Sequence, residues 1–154
     1  MRGCIKNMLV DTKYLGKQDI EEDKIIYFET GIPGFQEEKK FVVLDIPGND
    51  VMQIMQSLQN TNLAFFITNP YHFYHDYSFK LDDSVVDSLA IKDEKEVVIF
   101  VIMTIQDPFE NSTLNLRAPV IINSVKKIGK QFILNDDDYP LKAAIQHSAK
   151  ESRG

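Results

Sequence analysis

This sequence has little of what reactive or membrane-spanning proteins need. Cysteine occurs once, as Cys4. No intrachain disulfide can form, and a reducing, cytoplasmic setting is expected. A lone thiol with no histidine framed beside it is also a poor nucleophile. Long apolar runs are missing: the longest, "VVIFVIM", falls far short of the ~18 residues a membrane span requires. Near the start, "MLV" is too short for the ~7–15-residue apolar core of a signal peptide. No Gly-x-Ser-x-Gly, P-loop, dinucleotide fingerprint or HExxH occurs. Carboxylates are plentiful, but none sits in a pattern that frames a cleft and splits their pKa values. Positive charge is short as well. Lys and Arg number 17 against 23 Asp and Glu, a net charge of -6. Sequence-independent nucleic-acid binding needs a cationic surface that displaces counterions, so this balance argues against it. It suits a partner with a basic face.

The chain has 154 residues, 44% apolar and 26% charged. That composition fits one soluble domain able to bury roughly two-thirds of its unfolded surface without a metal or a disulfide. We expect the domain over residues 8–150, after a disordered extension at 1–7. Strand-like runs dominate: "MLVDTKYLG", "KIIYFET", "KFVVLDI", "VMQIMQSLQ", "LAFFITNP", "YSFKL", "EVVIFVIMTIQDP", "TLNLRAPVIINS" and "FILND". They are rich in β-branched and aromatic residues and bounded by Gly, Pro, Asn or Asp. "VVIFVIM" does not alternate, so that strand is expected to be covered on both faces. The run "VMQIMQSLQ" carries Met52 and Ile54 and then, after a slip in phase, Met55 and Leu58. Helical patterns are few. "DDSVVDSLAI" offers Asp82 or Asp83 as N-cap and aligns Val85, Val86 and Leu89. "YPLKAAIQHSAK" places Pro140 in a first turn and aligns Leu141, Ala144 and Ile145. The expected class is mainly β: an antiparallel, barrel-like single domain with two or three short helices.

Between two of the strand runs lies "GIPGF". Pro33 and Gly34 fit the two central positions of a type II turn, since Pro fixes φ and Gly accepts φ > 0. Ile32, ahead of the proline, is biased to extended backbone. Such a turn is expected to carry Phe35 to a buried or partly buried place and leave "QEEKK" in water.

Three segments hold residues with binding chemistry. "NPYHFYHDYSF" brings together His72, His75 and Asp76, the nearest approach to a metal set and the basis of a rival reading as a metal- or small-ligand-binding barrel enzyme. A site needs a further ligand and supporting contacts, and His147 is the one other histidine. The same segment is rich in Tyr and Phe, residues favoured at the centres of protein interfaces. We therefore take Tyr71, Phe73, Tyr74 and Tyr77 as candidate partner contacts. "NDDDYP" lacks the spaced ligands, Gly and Glu of a calcium loop. Asp136, Asp137 and Asp138 are instead candidate electrostatic contacts for a basic partner. The acidic run "DIEEDK" reads first as a solvated connection and second as docking surface. Lys126, Lys127 and Lys130 in "KKIGK" could touch phosphate, but the overall charge weakens that reading.

Three stretches in the same order resemble the family of flagellar assembly factors called FliW. "FETGIPGFQEEKKFVVLD" is similar to its signature region, and "NTNLAFFITNPYHFYHDYSFKL" to its central strand, Pro turn and aromatic loop. "NLRAPVIINSVKKIGKQFIL" is similar to its C-terminal hairpin, where an N-L-x-A-P-x-x-I-N strand precedes a G-K-Q strand. The resemblance runs from about Met8 to Leu141. It departs at the leading "MRGCIKN" and at His75, where the pattern has a proline. It implies a non-enzymatic cytoplasmic protein without cofactor or metal. The implied partners are the translational regulator CsrA, whose repression of flagellin mRNA is relieved, and flagellin itself, bound in a chaperone-like way. Neither direct nucleic-acid binding nor membrane association is implied.

Overall fold

The structure is a computed structural model and describes residues 6–135 and 139–145. Hydrophobic alternation and turn residues produce a chain of hairpins. The first is β1 (Asn7–Asp11) with β2 (Lys17–Glu21), a two-stranded sheet of its own. The remaining strands are β3 (Ile26–Tyr27), β4 (Lys40–Ile46), β5 (Asn49–Ser57), β6 (Ala64–Thr68), β7 (Val97–Thr104), β8 (Thr113–Leu114), β9 (Val120–Asn123), β10 (Ile128–Gln131) and β11 (Ala143–Ala144). Among the described residues these nine form one sheet in the order β11-β8-β7-β6-β5-β4-β3-β10-β9. A further pairing of β9 with β7 closes it into a ring. One edge of β7 serves two partners: Val97–Phe100 pairs with β9, and Met103–Thr104 with β8. All pairings are antiparallel except β3 with β10, where Tyr27 lies parallel to Ile128.

The ring has an apolar interior and a covered exterior. Phe28, Phe41, Met55, Ile67, Val120 and Ile122 fill the inside, with Phe28 and Phe41 edge to face at 5.3 Å. Alternate residues point outward and are covered by other elements. Val10 and Ile20 of the first hairpin lie over Val42, Leu44 and Ile54. Helix α1 (Asp83–Ser88) brings Val85, with Leu89 just beyond it, onto Ile121. Strands covered on both faces lose strict alternation. This explains β5 without a slip in phase: Ile54 faces the hairpin and Met55 the interior.

The sequence reading needs several corrections. "DIEEDK" is not a plain connection. Gly16 at φ +68 closes a turn in which the Thr12 N–H and hydroxyl both donate to its carbonyl, and Ile20 has a core to enter, so Lys17–Glu21 becomes a strand. Only Glu22–Lys24 remains a connecting 3-10 turn. "YSFKL" is irregular. It crosses the outside of the ring, with Tyr77, Phe79 and Leu81 packing down. "FILND" is not a strand over residues 132–135; the strand falls just before it, at Ile128–Gln131, where the G-K-Q pattern places it. "TLNLRAPVIINS" is split into β8 and β9 by a turn in which Asn115 Oδ1 accepts from the Ala118 N–H. Among the described residues α1 is accompanied by four short 3-10 turns, and Ile145 is helical, so helix is as scarce as expected. In the expected C-terminal helix, Ala143–Ala144 is instead a strand paired with β8, because Ala143 is buried opposite Leu114. Of the extension at 1–7, Asn7 already pairs with Glu21 and the Lys6 carbonyl accepts from Glu22.

The elbow has the expected backbone. Gly34 has φ +89, and the Phe35 N–H donates to the Ile32 carbonyl at 2.6 Å. Ile32 is the buried side chain of the elbow, whereas Phe35 is 43% exposed and meets Phe65 edge-on. Gly31, at φ +69, is the tighter position, because a Cβ there would lie 2.5 Å from the Gln36 carbonyl oxygen.

Candidate functional site

The aromatic segment leaves the sheet at the end of β6. Asn69 and Pro70 start it by local chemistry: the Asn69 side chain accepts from the Tyr71 N–H at 2.9 Å, and Pro70 opens a 3-10 turn over Pro70–His72. The Tyr74 N–H then donates to the Pro70 carbonyl, and the Tyr77 N–H to that of Tyr74. This backbone sets the side chains at three depths. Tyr71 is on the surface, 36% exposed. Phe73 and Tyr74 are half-buried against the outer cluster that includes Met52, Val101 and Met103, and the Tyr74 hydroxyl donates to the Ala144 carbonyl. Tyr77 is 3% exposed.

Tyr77 is therefore no partner contact, contrary to the sequence reading. Its hydroxyl donates to the Leu116 carbonyl at 2.6 Å in a buried setting. Its ring packs on Tyr71 at 5.9 Å, Phe79 at 5.3 Å and Tyr139 at 4.7 Å. Burial, with smaller contributions from Tyr71 and Tyr139, pushes its pKa well above the ordinary tyrosine value. Burial and then Tyr139 raise that of Tyr71. Both phenols are neutral near neutrality, which suits the Tyr77 hydroxyl as a donor. Tyr139 belongs to this cluster and accepts from the Ser78 N–H at 3.1 Å. Sequence spacing gave no sign of it, because 61 residues separate the two partners.

His72, His75 and Asp76 are all exposed. Among the described residues no three His, Cys, Asp or Glu side chains gather as a metal set. Asp136, Asp137 and Asp138 lie outside the described residues. The remaining acidic candidate is well displayed: Asp19, Glu21, Glu22 and Asp23 are exposed along β2 and the turn after it. What the segment offers is a patch of aromatic surface held by its own hydrogen bonds, suited to contact rather than to proton or group transfer.

The family model described as FliW protein matches residues 9–145. The chain belongs to the FliW family of flagellar assembly factors. The flagellar assembly factor FliW of Oceanobacillus iheyensis is 48% identical over 139 residues, which cover 90% of this chain and 95% of that relative. FliW of Bacillus subtilis is 42% identical over 138 residues, 90% of this chain and 96% of its own. A crystal structure of the flagellar assembly factor FliW superposes with a TM-score of 0.86 at 40% identity, covering 90% of this chain and 96% of that one. The FliW role is non-enzymatic, and the rival reading of a barrel enzyme around His72, His75 and Asp76 finds no support. No helix among the described residues is long and apolar enough to cross a membrane.

Proposed function

We propose that this protein acts in the bacterial cytoplasm as a binding protein that links flagellin supply to flagellin translation. It binds the RNA-binding regulator CsrA and lifts its repression of flagellin mRNA. It also binds flagellin as a chaperone-like partner. Rising free flagellin then occupies the protein and returns the regulator to the message. The observation that carries this reading is membership of the FliW family over residues 9–145. The acidic balance supports it. Exposed Asp19, Glu21, Glu22 and Asp23 present a surface that a basic RNA-binding protein can meet, and opposite potentials raise association rates more than they deepen affinity. Tyr71, with Phe73 and Tyr74 at its side, supplies the aromatic contact.

Binding kinetics with purified regulator and flagellin test the proposal. Changing Asp136, Asp137 and Asp138 together to Asn removes three negative charges. The triple variant is expected to associate more slowly with the regulator and to displace less RNA in competition. Association of the wild type is expected to slow as salt shortens the Debye length below ~8–10 Å. Unchanged kinetics and no salt dependence would remove the electrostatic part. Failure of the wild type to bind either protein at micromolar concentration would overturn the reading as a whole.

A further inference from the structure

One end of the ring is open. Inward residues of β7 run Val98, Phe100, Ile102; the last two pack on the interior core, while Val98 is 36% exposed. Ile26, Val43, Val98, Phe100 and Ile122 line a cavity of about 210 Å³ at that end. The coverage on both faces expected for "VVIFVIM" thus fails at Val98. The rim carries Lys24 and Lys127, a local reversal of sign on a chain of net charge -6.

The rim is built, not incidental. Lys127 sits at φ +59 in the turn between β9 and β10. Buried Asn123 fixes that turn: its Oδ1 accepts from the Val125 and Lys126 N–H groups, and its amide donates to the Leu89 carbonyl. The Lys127 N–H donates to the Asn123 carbonyl, and its ammonium donates to that of Ser124 at 2.6 Å. Two of its three ammonium hydrogens remain for another acceptor. Lys24 ends the turn Glu22–Lys24, just ahead of β3, the strand that pairs with β10. Apolar walls with a few placed polar groups are the usual composition of a ligand site, and holding those groups in advance reduces the ordering cost of binding.

We propose that this mouth is a docking site for a peptide segment of a protein partner, taking one apolar side chain into the cavity and an adjacent carboxylate between Lys24 and Lys127. Charge complementarity selects this occupant. The walls accept any apolar side chain, but the two ammonium groups favour one whose neighbour is Asp or Glu. The site is separate from the aromatic segment, whose residues pack on the outside of the ring.

A methyl-NMR titration of the full chain with the capped tetrapeptides acetyl-Gly-Leu-Asp-Gly-amide and acetyl-Gly-Leu-Asn-Gly-amide tests it. Saturable shifts are expected at the Ile26, Val43, Val98 and Ile122 methyls. Exposed ion pairs set the preference for the Asp peptide at about two- to fivefold. Lys24→Gln with Lys127→Gln is expected to erase that preference, and Val98→Glu to abolish binding of both peptides. A second pair of variants guards against misfolding: Val98→Thr is expected to weaken both peptides equally, and Val125→Thr to leave both unchanged. No response at these methyls at millimolar peptide, equal response to the two peptides, or a response untouched by the Val98 changes would overturn the proposal. So would concentration-dependent shifts of the same methyls without peptide, accompanied by dimer mass in light scattering, which would assign the mouth to a second copy of this chain.

Discussion

Two connections, the elbow at 31–35 and the aromatic segment at 69–79, exchange the fates that sequence suggests for their rings. Phe35 of the elbow, expected buried or partly buried, is 43% exposed, and Tyr77 of the segment, expected as a partner contact, is 3% exposed. The elbow is made by backbone. Positive φ at Gly31 and Gly34 and one hydrogen bond across the turn determine its path, and Phe35 is left with Phe65 as its aromatic neighbour. The segment is made by side chains. Tyr77 is held by Leu116 and Tyr139, both remote in sequence. A turn's path follows from a few adjacent residues. Whether its ring is buried depends on what distant chain arrives to cover it.

The contrast predicts that the elbow fails through its backbone first. Gly31→Ala is expected to have the largest effect. Left-handed strain of ~1–3 kcal/mol adds to overpacking of ~1–3 kcal/mol, because the new Cβ meets the Gln36 carbonyl at 2.5 Å. Urea denaturation reads the loss, and a cost below about 1 kcal/mol would break the comparison. Gly34→Val ranks next. Its Cβ has open space, so the strain of φ +89 acts alone, at ~1–3 kcal/mol. This variant is expected to bind partners normally once folded. Wild-type stability with lost binding would instead make the elbow a contact surface.

The segment should yield less, and through a hydroxyl. Tyr77→Phe removes the donor to the buried Leu116 carbonyl and is expected to cost about 1 kcal/mol. Tyr71→Phe, on the surface, should stay within ~0.5 kcal/mol. Alkaline unfolding sharpens the difference. The Tyr77 pKa is raised above its ordinary 10.0 by burial. The unfolded chain therefore releases this proton first, and the stabilisation is complete below about pH 10 and declines as pH rises beyond it. Tyr77→Phe should flatten that decline, as seen in denaturant midpoints collected across the alkaline range.

Local chemistry made much of the fold readable. Alternation and turn residues located β4, β5, β6 and β7, and Asp82 stands at the N-cap of α1 as expected. What stayed hidden depended on contacts across the chain. Lys17–Glu21 reads as a charged connection until Ile20 is seen to share a cluster with Val42 and Ile54. Ala143–Ala144 reads as helix until β8 is seen to offer it an edge. At the candidate site, aromatic density pointed to the segment, but periodicity within 69–79 says nothing of Tyr139 or Leu116. Lys24 and Lys127 are distant in sequence and come together because β3 pairs with β10.

That closure has a consequence for synthesis. β3 must wait for β10, since Tyr27 pairs with Ile128, and β7 must wait for β9. As the chain leaves the ribosome, the hairpins β4–β5 and β5–β6 can form from what has already emerged. Until the β9–β10 hairpin follows, β3 and β7 expose unpaired edges, the condition that invites pairing with other chains. Contacts so far apart in sequence also slow the final step. The last hairpin therefore acts as a clasp: a nascent chain truncated before Val120 holds most of the sheet and none of its closure.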